Sequence, residues 1–212
     1  MGTSPMGWTV VDELPMVWWN TALTPPIIRK RQNATVDDLA FVTNQLIEMH
    51  QAFGFVILGL AEVSDQNLTH IMSSFSGTGL DVAVSPSKKG KLIYDTALIY
   101  DRTKLDLKGT AQFLDMYGKK KLKTGEMAKF VDLGSGAELY VAVSHWPSRA
   151  RVGEFDPIRR EYGRSLQASA RFMTQSEKAS FIVLMGDYND DPSSPSLSTG
   201  LLVQHPVNKL NI

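Results

Sequence analysis

Five polar side chains stand where apolar runs end. Asn20 follows residues 16–19, Glu62 follows 55–60, His145 follows 138–144, and Asp187 and Asn189 follow 181–185. The carboxyl ends of strands are where α/β sheets assemble their sites, because rigid backbone there aims side chains from distant parts of the chain into one crevice. Two carboxylates, one imidazole and two carboxamides include no strong nucleophile. Chemistry at such a site therefore calls for water activated by a metal. Oxygen ligands favour Mg²⁺, with Mn²⁺ as the alternative, over zinc.

The elements that must position these groups are legible from periodicity. Residues 16–19 read as a short strand that delivers Asn20 into a loop closed by Pro25 and Pro26. Thr35 reads as an N-cap, with Asp37 and Asp38 in the first turn and Val36, Leu39, Val42, Leu46 and Ile47 at helical spacing. Gly54 is the expected stop. Residues 55–60 are continuously apolar, the mark of a strand buried on both faces. Ser64 caps a second expected helix with Leu68, Ile71, Met72 and Phe75 inward and Gly77 or Gly79 as its end. Short strands follow at 80–84, 91–94 and 96–100, with turns at 86–90 and 101–103. Residues 127–133 and 138–144 form an expected hairpin around Gly134-Ser135-Gly136. A polar loop from Trp146 leads to a third helix capped by Asp156, with Pro157 at its first position. A last buried strand spans 181–185.

Taken singly, each site residue has a plainer reading. Glu62 suits a helix-capping role, Asn20 and Asp187 suit turns, and an isolated histidine is more often structural than catalytic. Trp18 and Trp19 read as core. The lysine run 119–123 reads as a solvated loop, whereas Arg149 and Arg151, with Arg159 and Arg160, could grip a phosphate. Arg149 follows His145 most closely and is the substrate-binding candidate.

The bulk properties narrow the classes. The chain has 212 residues, with 43% hydrophobic and 21% charged, which suits one soluble α/β domain. Lys plus Arg and Asp plus Glu number 22 each, so no global field draws in a polyanion and any such partner must be held by local charge. There is no cysteine, which removes disulfides, thiolate nucleophiles and Cys-ligated zinc and fits a cytoplasmic setting. No stretch reaches the roughly 18 apolar residues of a membrane span. The sequons at Asn33 and Asn67 lie behind no secretion signal and are read as chance. Walker A, zinc-protease and nucleophile-elbow motifs are absent.

Trp18-Trp19-Asn20, Leu60-Ala61-Glu62-Val63, Ser144-His145-Trp146-Pro147 and Gly186-Asp187-Tyr188-Asn189-Asp190 form an ordered set. Residues 98–102, ending in Tyr100-Asp101-Arg102, add an intermediate strand. The set resembles the endonuclease/exonuclease/phosphatase superfamily, whose members include deoxyribonuclease I-like and exonuclease III-like enzymes. The resemblance implies an α/β fold, a layered sandwich of two packed mixed β-sheets flanked by helices. It also implies roles. Glu62 would be the principal metal ligand, supported by Asn20. Asp187 would activate the attacking water, and Asn189 would hold the phosphate or that water. His145 would stabilise the transition state or protonate the leaving oxygen, with Asp95 as a carboxylate that could orient it.

The expected partner is nucleic acid, DNA or RNA, cleaved by a nuclease. A phosphatase on a phosphoinositide or other small phosphate ester, and an inactive binding module that keeps the fold, are the alternatives. Residues 1–15 read as a leader or poorly ordered N-terminus, and 16–212 as one domain. Relatives usually continue to a Ser-Asp-His-like ending, which His205-Pro206-Val207 does not supply. The reading therefore expects a fold incomplete at the C-terminus, activity absent or strongly impaired, and self-association through an exposed sheet edge.

Overall fold

The computed structural model describes residues 14–24, 34–89, 92–149, 157–177 and 179–201. Expectations for most of the leader, the loop at Pro25 and Pro26, Arg151, Asp156 and the segment at His205 lie outside these residues.

Two four-stranded mixed sheets face each other. The first is ordered β1 (Met16–Asn20), β2 (Ile57–Ala61), β6 (Thr96–Asp101), β3 (Leu80–Val84). Strand β1 runs parallel to β2, and β6 runs antiparallel to both β2 and β3. The second is ordered β10 (Phe181–Asp187), β9 (Glu138–His145), β8 (Lys120–Asp132), β7 (Leu105–Tyr117), with β10 parallel to β9 and the rest antiparallel. A two-stranded ribbon, β4 (Ser87–Lys89) with β5 (Leu92–Tyr94), stands apart. This is the expected sandwich of two mixed sheets.

Three apolar clusters hold the layers. Helices α1 (Val36–Phe53) and α2 (Asp65–Ser74) cover the outer face of the first sheet through Val42, Leu46, Leu68 and Ile71. Ile57, Leu98, Phe130, Val141 and Val143 fill the space between the sheets. Helix α3 (Pro157–Gln175) and a π-helical turn at Ser196–Leu201 cover the second sheet through Ile158, Tyr162, Leu166 and Leu201. Leu14 also packs against the inter-sheet core.

Local chemistry explains the helix ends. Thr35 and Asp38 form a reciprocal capping box, and Gly54 closes α1 in a left-handed conformation at φ 58°. Ser64 and Asn67 cap α2 in the same way. Helix α2 stops at Ser74 with Phe75 as its cap, one turn before the glycines expected to end it. Gly59 is required by packing. A Cβ there would lie 2.5 Å from Trp18 Cε3 and 2.8 Å from Met185 Sδ, so its lack of a side chain lets β1 and β10 approach across the sandwich.

Two expectations are corrected. The lysine run is no loop: from Lys120 onward it belongs to β8, which begins seven residues before the expected strand and pairs with β7 along a 13-residue hairpin arm. The turn expected at 86–90 instead contains β4. Neither arm of the β7–β8 hairpin carries the clean alternation by which a strand is read from sequence.

Candidate active site

The register of the sheets brings the five expected residues to one rim. Asn20 pairs with Ala61 at the parallel ends of β1 and β2, which places it beside Glu62. Asp187 pairs with His145 at the parallel ends of β10 and β9. Across the gap between sheets, Asn20 Nδ2 donates to Asp187 Oδ2 at 2.9 Å and reaches Glu62 Oε1 at 3.4 Å. His145 Nε2 lies 3.9 Å from the same Glu62 oxygen. One carboxamide thus spans two carboxylates, with the imidazole facing them.

Backbone at two of these positions is unusual. Glu62 and Asn189 adopt left-handed conformations, φ 53° and 52°. That region costs a residue with a Cβ about 1–2 kcal/mol, less for asparagine. Glu62 is held there by its carbonyl, which accepts from Thr24 N at 2.7 Å and from Thr21 Oγ1 at 3.0 Å. The turn aims its side chain inward, where it is 12% exposed. Strain of this kind persists only where surrounding structure over-determines it.

His145 is fixed from behind. Its Nδ1 lies 2.7 Å from Asp95 Oδ2, so the Nδ1–H donates to that carboxylate and Nε2 is left facing Glu62. Asp95 sits between β5 and β6, and its other oxygen accepts from Lys123 Nζ at 3.1 Å. Burial works against charge on His145, but the Asp95 hydrogen bond and charge, with a contribution from Asp187, outweigh it and raise its pKa. Burial likewise opposes charge on Asp95, yet His145 and Lys123 hold its pKa below the ordinary carboxylate value. Lys123 is therefore no solvated lysine. It also donates to Ile93 O at 2.6 Å and lies over the Tyr94 ring, 5.2 Å from its centroid.

Asp187 is oriented from two sides, since Asn189 N donates to its Oδ1 at 2.8 Å while Asn20 holds Oδ2. Asn189 Nδ2 donates to Trp146 O at 2.8 Å, which leaves its amide oxygen and one N–H for a ligand. Asn20 Oδ1 already accepts from Ala22 N at 3.1 Å. Its amide thus serves mainly to hold the carboxylates.

Arginines expected at the phosphate are engaged elsewhere. Arg149 Nη2 reaches Asp190 Oδ1 at 3.1 Å and Asp191 Oδ2 at 2.5 Å. Arg159 is 4% exposed, with its guanidinium engaged by Asp190 and by backbone carbonyls. Its burial was signalled by helical spacing, because it shares a stripe with Tyr162, Gly163 and Leu166. No comparable sequence signal marks Lys123.

The residues present fit a hard divalent cation. Glu62 Oε2 is buried and has no hydrogen-bond partner among the described residues, a costly state for a carboxylate oxygen that a cation would relieve. Among the described residues, no group of three or more His, Asp and Glu side chains is arranged to hold a metal. Mg²⁺ does not require one, because it retains several waters and is commonly held by one or two carboxylates.

The sequence matches the endonuclease/exonuclease/phosphatase family over residues 27–211, and the chain belongs to that family. Solved structures agree on the fold. The human nocturnin catalytic domain with bound sulfate superposes with a TM-score of 0.66 at 19% identity, covering 87% of this chain and 67% of that one. The Bacteroides thetaiotaomicron mannosyl-6-phosphatase gives 0.64 at 18% identity, covering 90% and 70%. D. rerio TDP2 with a single-stranded DNA product gives 0.59 at 13% identity, covering 89% and 65%. The chain thus spans about two thirds of the length of these structures. No curated protein sequence matches it closely.

Proposed function

We infer that the chain is a Mg²⁺-dependent phosphoesterase, with phosphodiester hydrolysis of DNA or RNA as the leading activity. The observation that carries this reading is the Asn20 amide joining Asp187 to Glu62, whose second oxygen is buried and unpartnered among the described residues, with His145 facing both. Glu62 would hold the metal, which would neutralise phosphate oxygens and lower the pKa of water when bound.

The chain's own residues supply the rest. Asp187, held by Asn20 and Asn189 N, keeps lone pairs to take a proton from the attacking water. His145 presents Nε2 because Asp95 occupies Nδ1, and its raised pKa keeps a proton available for the leaving oxygen. Asn189 offers its remaining amide atoms to a phosphoryl oxygen. Attack and departure then occur on opposite sides of phosphorus, with proton removal and proton delivery assigned to different groups.

A second reading, a phosphatase on a small phosphate ester, is favoured by charge. The net charge is zero, and the Arg149 and Arg159 guanidiniums are engaged by Asp190, where a polyanion track would keep them outward. No helix among the described residues is long and apolar enough to cross a membrane. The absence of cysteine supports a cytoplasmic setting. Pairing of two copies along β10, which has a strand partner on one side only among the described residues, is the proposed route of self-association.

The test is to incubate purified protein with Mg²⁺ and plasmid, single-stranded DNA, RNA and phosphomonoesters. Metal-dependent hydrolysis that His145→Ala abolishes supports the reading, and the preferred substrate decides between its two forms. No hydrolysis of any member by protein shown to be folded, together with no rise of its thermal midpoint in excess Mg²⁺, overturns it in favour of a binding module.

A further inference from the structure

We propose that Arg159 is a positioning residue that ties the loop after His145 to the loop after Asp187, and both to α3. The deduction rests on the phosphoesterase reading for its kinetic consequence and on geometry alone for the rest.

His145 and Asp187 are adjacent in register, and β9 and β10 end with them; one further backbone bond, from Trp146 N to Asp187 O at 2.9 Å, joins the two segments there. Arg159 extends that tie beyond Trp146. Its Nη1 donates to Pro147 O at 2.8 Å, two residues beyond His145. Its Nη2 donates to Asn189 O at 2.6 Å and Tyr188 O at 3.3 Å, just beyond Asp187. Its Nε donates to Asp190 Oδ2 at 3.1 Å. Asp190 is fixed in turn by Ser196 Oγ and by Arg149, with its side chain 1% exposed.

A buried ion pair is a poor way to gain stability, since apolar residues of similar volume often serve as well or better. What a guanidinium offers here is a planar fork with five donors, able to meet three carbonyls from two loops at once. A lysine ammonium has no such fork. The clamped loops carry Trp146, whose carbonyl accepts from the Asn189 side chain, and Asn189, whose backbone N–H orients Asp187. Among the described residues Arg159 makes no hydrogen bond or ion pair with Glu62, His145 or Asp187; it acts through these intermediaries.

The experiment compares Arg159→Gln and Arg159→Lys with Leu166→Ala. Leu166 is fully buried on the same helix and shares the apolar cluster of Trp146 and Tyr188 but makes none of the hydrogen bonds of the clamp, so its truncation reports loss of packing with the clamp kept. Three quantities are read: thermal midpoint, amide hydrogen exchange at Trp146 and Asn189, and kcat with KM. Both Arg159 variants, folded at 25 °C, should exchange these two amides about tenfold faster or more, as expected of local opening. Misplacement of about 1 Å can cost roughly 10²-fold in rate, so kcat should fall by about that factor with KM little changed. Leu166→Ala should lower the midpoint yet keep both amides protected and kcat per folded molecule intact. Arg159→Lys keeps a positive charge and covers the case in which Arg159→Gln does not fold. If the wild type hydrolyses nothing, the functional reading fails while exchange still decides the role of Arg159. Folded Arg159 variants with unchanged local exchange, or an equal opening in Leu166→Ala, would overturn the proposal.

Discussion

Glu62→Gln should raise the stability of the metal-free protein and abolish its response to Mg²⁺. Glu62 Oε2 is buried without a partner among the described residues, and an unsatisfied buried acceptor costs about 1–3 kcal/mol, more when charged. The amide is nearly isosteric; with its oxygen kept toward Asn20 its NH2 is as unpartnered as the oxygen it replaces, so what the substitution relieves is the burial of a charge, and Asn20 keeps its stronger bond to Asp187 at 2.9 Å. The left-handed backbone at residue 62 is unchanged, so the strain cancels in the comparison. Relief of about 1–3 kcal/mol in a chain of this size shifts the midpoint by roughly 2–12 °C. Metal acts in the opposite direction. At 100 times its dissociation constant, a ligand that binds only the folded state adds about 2.7 kcal/mol, or roughly 5–11 °C. The wild type should therefore melt below Glu62→Gln in chelator and gain in excess Mg²⁺, where the variant does not move. Differential scanning calorimetry at a pH high enough to keep His145 neutral removes the attraction of Glu62 for an imidazolium 3.9 Å away. A variant that is less stable without metal, or that gains as much from Mg²⁺ as the wild type, refutes the reasoning.

Three further outcomes follow from the same geometry. Asp95→Asn should lower kcat by about 10²–10⁴-fold with little effect on KM, because it removes the charge that sets the His145 orientation and proton affinity; steady-state kinetics checks this. Gly59→Ala should destabilise by about 1–3 kcal/mol through overpacking, since its Cβ would meet Trp18 and Met185 below van der Waals distance; denaturant melts measure it. For Asp190, burial opposes charge but the Ser196 hydrogen bond and Arg159 outweigh it and lower its pKa. Its contribution is thus fully present above the ordinary carboxylate value of about 3.9 and is lost as pH falls through the lowered folded value. Asp190→Asn should accordingly show its full deficit at pH 7, and the gap should close below about pH 4 in unfolding titrations.

What could be read beforehand divides along a physical line. Glu62, His145 and Asp187 were legible because a buried strand ending in a polar residue is a local pattern, and parallel strands then carry those ends to one rim. Capping residues Thr35 and Ser64 were legible for the same reason: their hydrogen bonds close within three residues. Partners that decide the chemistry are remote. Asn20 and Asp187 are 167 positions apart, His145 and Asp95 are 50 apart, and Lys123 and Asp95 are 28 apart. No local pattern tells whether Lys123 stays in solvent or reaches a buried carboxylate, because that depends on which strand β8 is laid beside. Arg149 and Arg159 show the converse. As cations that follow His145 in the sequence they suit a ligand, but Asp190 lies close in the fold and takes up the same donors. An arginine is drawn to whichever carboxylate or phosphate can meet its fork with least desolvation, and a carboxylate 1% exposed, already accepting from Ser196, is a fixed partner where a substrate is a transient one. Composition therefore limits which residues can act, while the fold determines which of them remain free to do so.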